Sequence, residues 1–137
     1  MTVDADTVVT EWGLAPHPEG GFFRETYRST LTTTPPGWPG PRAFATAILF
    51  LLRAGERSAR HRVRGDELWC WHAGAPMALD IEGATSIVGP DASAGHELHV
   101  LVPAGAWQSA TPAADTWSLV ACVVAPGFDF ADFEMSS

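Results

Sequence analysis

Lysine is absent from this chain. Its eight basic residues are all arginine and stand against sixteen acids, a formal net charge of −8. That balance argues against nucleic acid and against an anionic membrane surface as partners, because both demand clustered cations. Cysteine is scarce too. Cys70 and Cys122 fall in apolar, strand-like runs with no CxxC or similar spacing, which points to buried free thiols rather than a zinc ribbon or disulfide framework. Long apolar runs are missing. The longest, Ala43 to Leu52, contains Thr46 and falls well short of the roughly 20 residues that span a bilayer. The stretch Met1 to Asp6 has two acids and no base, unlike a secretory leader, so a cytoplasmic protein is expected. Helical periodicity is confined to residues 4–12, where Asp4 and Asp6 suit the positive end and Gly13 can close the helix.

What is present is a strand-rich globule. Apolar residues make up 46% and charged residues 18% of 137 positions, which fits one compact domain over 1–137. Strands are predicted over 22–28, 43–53, 57–64, 66–73, 77–82, 84–88, 97–102, 107–111 and 116–125, punctuated by glycine and proline. Many short strands at such spacing indicate a sandwich or small barrel. Alternation places Ala59, His61 and Val63 on one face and Arg60, Arg62 and Arg64 on the other. Unpaired arginines are costly to bury, so the His61 face points inward. A Gly65-Asp66 turn then brings His61 to Glu67 in a hairpin, with Trp69 and Trp71 lining the same interior. Five of the eight arginines lie within 53–64; they form either a solvated face or an anion subsite.

These residues carry a resemblance. Gly55-x5-His61-x-Val63-x3-Glu67-x6-Gly74 is similar to the first cupin motif, and Pro103-x-Gly105-x2-Gln108 to the second. Val63 and Gln108 stand where the wider cupins place histidines. His17-Pro18-Glu19-Gly20-Gly21-Phe22-Phe23-Arg24-Glu25-Thr26-Tyr27-Arg28-Ser29 resembles the opening signature of one branch, cupin family five, and Ala125 to Glu134 resembles its end. The likeness implies an all-β, cupin-type antiparallel β-barrel or jelly roll with a short N-terminal helix, and a homodimer. It implies that Val63 and Gln108 are normal in this branch, and that Phe23 replaces a common tyrosine.

Two roles follow for the inward residues. In the first, the pocket of an isomerase, epimerase or lyase takes a small polar, sugar-like or carbonyl-bearing molecule. His61, oriented by Glu67, moves a proton next to the carbonyl, and Tyr27 or an arginine meets the developing oxyanion. This borrows from cupin sugar epimerases. Glu19, Arg24 or Arg28, Trp69 and Gln108 are the candidate substrate contacts, and which face of 22–28 is inward stays open. In the second, the same residues orient a ligand without chemistry. A metal-dependent enzyme is a third reading. His61, Glu67 and Gln108 are the only ligand set on offer; one nitrogen and two oxygen donors are few for zinc or iron, so no cofactor is expected, with a divalent metal as the alternative. The apolar character of both faces of 43–53 predicts that a second subunit or sheet covers one of them.

Overall fold

The computed structural model describes residues 3–136; residues 1, 2 and 137 of the domain expected over 1–137 lie outside the described residues. Helix α1, Ala5–Trp12, begins where the Asp4 side chain accepts the Thr7 N–H at 2.8 Å and ends where Gly13 turns left-handed at φ 64°. Both ends are the ones the sequence marks, a short acidic cap and a glycine free of Cβ strain. Thirteen strands follow: β1 Ala15–Pro16, β2 Phe22–Arg28, β3 Thr32–Thr33, β4 Arg42–Ala43, β5 Thr46–Leu52, β6 His61–Arg62, β7 Asp66–Gly74, β8 Met77–Ile81, β9 Ala84–Val88, β10 His99–Val102, β11 Gln108–Pro112, β12 Ser118–Ala125 and β13 Glu134–Met135.

The strands form a six-stranded sheet, β1-β2-β5-β12-β7-β10, and a five-stranded sheet, β13-β6-β11-β8-β9, with β3-β4 a separate pair. All named pairings are antiparallel. The two sheets share one core, in which Phe50, Leu52, Trp69 and Val120 of the larger meet Met77, Leu79, Val88 and Ala110 of the smaller. They do not close into a barrel; the arrangement is a cupin jelly roll.

Two expected strands come apart. The stretch 57–64 keeps only His61–Arg62 in a ladder, because its preceding amides bond elsewhere: Ser58 to the Ala110 carbonyl and Ala59 to the Glu19 carbonyl, at 2.9 and 2.7 Å. The stretch 43–53 breaks after Ala43, where Phe44 N–H turns to Leu31 and the Ala43 carbonyl accepts Gly127 N–H. The expected 57–64/66–73 hairpin is absent as well. Strand β6 pairs with β11 and β13, while β7 pairs with β12 and β10, so the chain crosses between sheets at Gly65. A Cβ on Gly65 would lie 2.7 Å from the Pro126 carbonyl oxygen, so the crossing needs glycine there.

The outer face of β5 is covered in part within the chain. Val8 of α1 and Leu14 pack on Leu51 and Leu119, which satisfies part of the apolar surface that the sequence assigns to a second subunit.

Candidate functional site

Between the sheets, toward the β2 and C-terminal side, lies a cavity of about 400 Å³. Its floor holds His61, Glu67 and Glu19, delivered by three separate parts of the chain. His61 is 2% exposed, Glu67 6% and Glu19 7%. The loop carrying Glu19 is pinned by the His17 N–H to Gly21 carbonyl bond at 2.9 Å and by the Ala59 bond to the Glu19 carbonyl.

The histidine has its partner on the opposite side from the one expected. His61 Nδ1 lies 2.7 Å from the Ala59 carbonyl and 2.8 Å from Glu19 Oε2. Its one proton is aligned with the carbonyl, so Glu19 Oε2 is a close ionic neighbour that receives no aligned hydrogen bond, and it has no other donor among the described residues. A buried acceptor without a donor costs about 1–3 kcal/mol, more for a charged group. No described residue hydrogen-bonds His61 Nε2, and the ring lines the cavity. Burial depresses the imidazole, but the Glu19 contact, the charges of Glu19 and Glu67 and the Ala59 carbonyl outweigh it and hold His61 above its ordinary value. The expected His61–Glu67 hydrogen bond is thus replaced by a His61–Glu19 pair, with Glu67 acting on His61 through space.

Glu67 is held differently. Trp69 Nε1–H can only donate, and it donates to Gln108 Oε1 at 2.9 Å; the Gln108 amide group then donates to Glu67 Oε1 at 2.7 Å. The indole thereby fixes which way Gln108 points. Full burial and the charge of Glu19 raise Glu67, partly offset by His61, Gln108 and Cys122, and its pKa is pushed up to about 7. Cys122 lines the same wall, its thiol driven well above its ordinary value by burial and by the neighbouring carboxylates. Cys122 is buried and Cys70 half-buried, and both are free.

Other candidates lie elsewhere. Strand β2 has a bulge, with Glu25 opposite Ile48 and Tyr27 opposite Ala47, so Thr26 is an extra residue. Phe23, Glu25 and Arg28 consequently line the cavity, while Arg24 and Tyr27 take the outer face. Arg24 reaches the Trp12 carbonyl at 3.3 Å, and Tyr27 is 53% exposed; neither meets the cavity. Trp69 and Gln108 are buried beneath the floor and act through Glu67. Trp71 sits beside the core with its indole on the Ala75 carbonyl. His72 and His99 are exposed, and His96 is half-buried near the Asp91 turn.

The arginine stripe is a solvated face. Arg60 and Arg62 flank Trp107, each 4.7 Å from its ring centre, and Arg62 and Arg64 pair with Glu134 and Asp132. Asp132 also takes Arg42 through two bonds of 2.7 and 2.9 Å. These ties fasten the C-terminal segment, whose Phe128, Phe130 and Phe133 cover the cavity. Phe133 stacks on His61 at 5.4 Å.

Sequence reasoning overlooked His17, Asp129 and these three phenylalanines as cavity residues. His17 Nδ1 accepts the Glu19 N–H at 3.0 Å, so the 3.6 Å approach of Glu19 Oε1 is not an ion pair. Burial lowers His17, with the His61 charge adding to it and Glu19 opposing. The signal was the dense His-Pro-Glu-Gly-Gly run itself.

The donors do not fit a resident metal. Val63 offers none, Gln108 spends its oxygen on Trp69, and no three His, Cys, Asp or Glu side chains among the described residues are placed to hold an ion.

Comparison with known proteins agrees with this fold. The family described as "Cupin superfamily (DUF985)" matches residues 6–136. A hypothetical protein from Leishmania major is 30% identical, with a TM-score of 0.91 over 98% of this chain and 88% of its own. A Shewanella oneidensis protein is 39% identical, with a TM-score of 0.89 over 99% and 86%. KdgF from a Halomonas species shares the fold at 15% identity and a TM-score of 0.61, over 86% and 89%. No curated protein matches the chain. The chain belongs to the cupin superfamily, in the branch described as DUF985.

Proposed function

We propose that this cupin is an enzyme of the isomerase, epimerase or lyase type that moves a proton on a small polar, carbonyl-bearing or sugar-like substrate without a metal. The observation that carries this reading is one imidazole between two buried carboxylates of unlike environment. Glu19 favours the imidazolium form of His61, and Glu67, near 7, is free to take or give a proton at neutral pH. Groups whose environments separate their protonation states divide acid and base roles.

The roles differ from the simplest expectation. Glu67 takes the proton from the carbon next to the carbonyl. The electron pair moves to the carbonyl oxygen, where the imidazolium Nε2–H donates to the developing charge. Return of the proton to the other face or the neighbouring carbon gives epimer or isomer; loss of a leaving group gives the elimination product. Gln108 and Trp69 fix Glu67, and Phe133 stacked on His61 keeps water from that side. Tyr27 has no part.

The test is hydrogen–deuterium exchange into a panel of hydroxycarbonyl compounds and sugars in D2O, read by NMR. The unmodified protein is expected to exchange a C–H beside the carbonyl of at least one member. Glu67→Gln and His61→Ala should each slow it by about 100-fold or more. Exchange indifferent to both variants would sink the proposal, and binding of a panel member without exchange would leave a non-catalytic cavity.

A further inference from the structure

The cavity carries more acid than base. Glu19, Glu25, Glu67 and Asp129 line it, against Arg28 and His61. Arg28 is not a free receptor for an anion. Its guanidinium makes bonds of 2.6 and 3.3 Å to Glu25 and one of 3.1 Å to the Phe128 carbonyl. The charge of His61 is matched by Glu19 at 2.8 Å. Asp129, whose charge reaches only Arg42 already paired with Asp132, and Glu67 when ionised make no ion pair among the described residues. Glu19 adds an independent sign: its side chain is 7% exposed, with Oε2 sealed against His61 Nδ1 at 2.8 Å and Oε1, 3.6 Å from the accepting His17 Nδ1, without a hydrogen-bond donor among the described residues. Apolar rings complete the wall, with Phe23, Phe130 and Phe133 all facing the space.

We infer that the ligand of this cavity is a small organic cation, whose protonated nitrogen donates to Glu19 Oε1 while its apolar part packs on Phe23, Phe130 and Phe133. A protonated amine supplies the missing donor and is attracted to aromatic faces. The chain's charge of −8 raises the local concentration of cations and lowers that of anions. A carboxylate or phosphate would meet Glu19, Glu25 and Asp129, with Arg28 engaged by Glu25 and the charge of His61 already matched by Glu19, so neither arginine of β2 serves as an anion clamp. Burial and the charge of Glu19 keep a proton on Glu67 to about pH 7, while His61, Gln108 and Cys122 face it and oppose that. A bound cation replaces this proton, so binding below that pH releases one. The inference deepens the proposed function and rests on the same cavity, but its charge preference does not require turnover.

The experiment is isothermal titration calorimetry of the full chain near pH 6.5, in buffers of differing ionisation enthalpy, with three probes of one shape: benzylammonium, benzyl alcohol and benzoate. Benzylammonium is expected to bind at least tenfold tighter than benzyl alcohol and to release a proton, with no heat from benzoate. Glu19→Gln should weaken benzylammonium at least tenfold more than benzyl alcohol. Glu67→Gln should keep the order of the probes and abolish the proton release. Equal affinities, benzoate as the tightest probe, or no benzylammonium binding at millimolar concentration would each overturn the inference. The order in the unmodified protein decides the matter even if Glu19→Gln does not fold. If the order holds while D2O exchange fails, the catalytic reading falls and this one stands; the reverse pair of results removes only this one.

Discussion

Glu67 shows how one residue can weaken a fold in order to equip it. Buried, and raised from 4.5 to about 7, it binds its proton more tightly in the folded than in the unfolded chain. Between those values the folded state holds the extra proton, so stability falls as pH rises from about 4.5 through about 7 and is flat beyond. At 1.36 kcal/mol per pH unit this is of the order of 3 kcal/mol. His61, raised above 6.5, acts in the same direction: its contribution is complete below its unfolded value and is lost as pH climbs through the folded one. Thermal melts of the unmodified protein should therefore drop by several degrees between pH 5 and pH 8. Glu67→Gln, which has no proton to lose, should flatten most of that drop. A melting temperature that rises over the same range would contradict the assignment. His61 and Glu67 as inward residues were legible from alternation, since three arginines on the opposite face left no other choice. The pairing was not legible, because Glu19 arrives from forty-two residues upstream (61 minus 19) through a loop whose direction no periodicity encodes.

At the scale of elements, Gly20 and Gly21 of the opening loop both adopt positive φ, and one of them can be tested sharply. Gly21 sits at φ 74°, and a Cβ there would lie 2.5 Å from the Leu51 carbonyl oxygen and 2.7 Å from Leu52 Cδ2. Gly55 has a similar φ, 78°, with nothing near it. Gly55→Ala should cost only the left-handed strain of about 1–2 kcal/mol. Gly21→Ala must also displace β5 backbone, and should cost about 3 kcal/mol or more in urea denaturation. It should loosen the bond from His17 N–H to the Gly21 carbonyl that shapes the loop around Glu19. Equal costs for the two would contradict the close approach. Most strands were readable because their alternation survives in the ladders, as in β7, β8 and β12. The exceptions have one cause. In 57–64 and at Phe44 the amides find partners in distant loops, and at Thr26 an inserted residue reverses the faces that Arg24 and Arg28 were expected to share. Long-range pairing of this kind leaves no local mark; alternation left the inward face of 22–28 open, and the bulge turns both Arg24 and Tyr27 outward.

For the molecule as a whole, the outer face of the six-stranded sheet is only partly accounted for. Helix α1 covers Leu51 and Leu119. Beyond it, Tyr27, Ala47, Val123, Leu68 and Leu101 stand in register as one row across β2, β5, β12, β7 and β10. The row has no charged side chain, and its ends are open, with Tyr27 53% and Leu101 51% exposed. A contiguous apolar strip on a soluble protein marks a contact surface. Its lack of charge lets a chain of net −8 approach a copy of itself there with less like-charge opposition than elsewhere. We propose this row, rather than the α1 side of β5, as the surface of the homodimer expected from the sequence, where a two-fold axis would set the row against itself. Light scattering at micromolar concentration should give twice the 14.6 kDa of one chain. Val123→Arg, placed in the middle of the row and away from the cavity that its neighbours Cys122 and Val124 line, should give one chain's mass with the melting profile of a folded protein. A monomeric unmodified protein would remove the dimer, and a dimeric Val123→Arg would move its interface to another face.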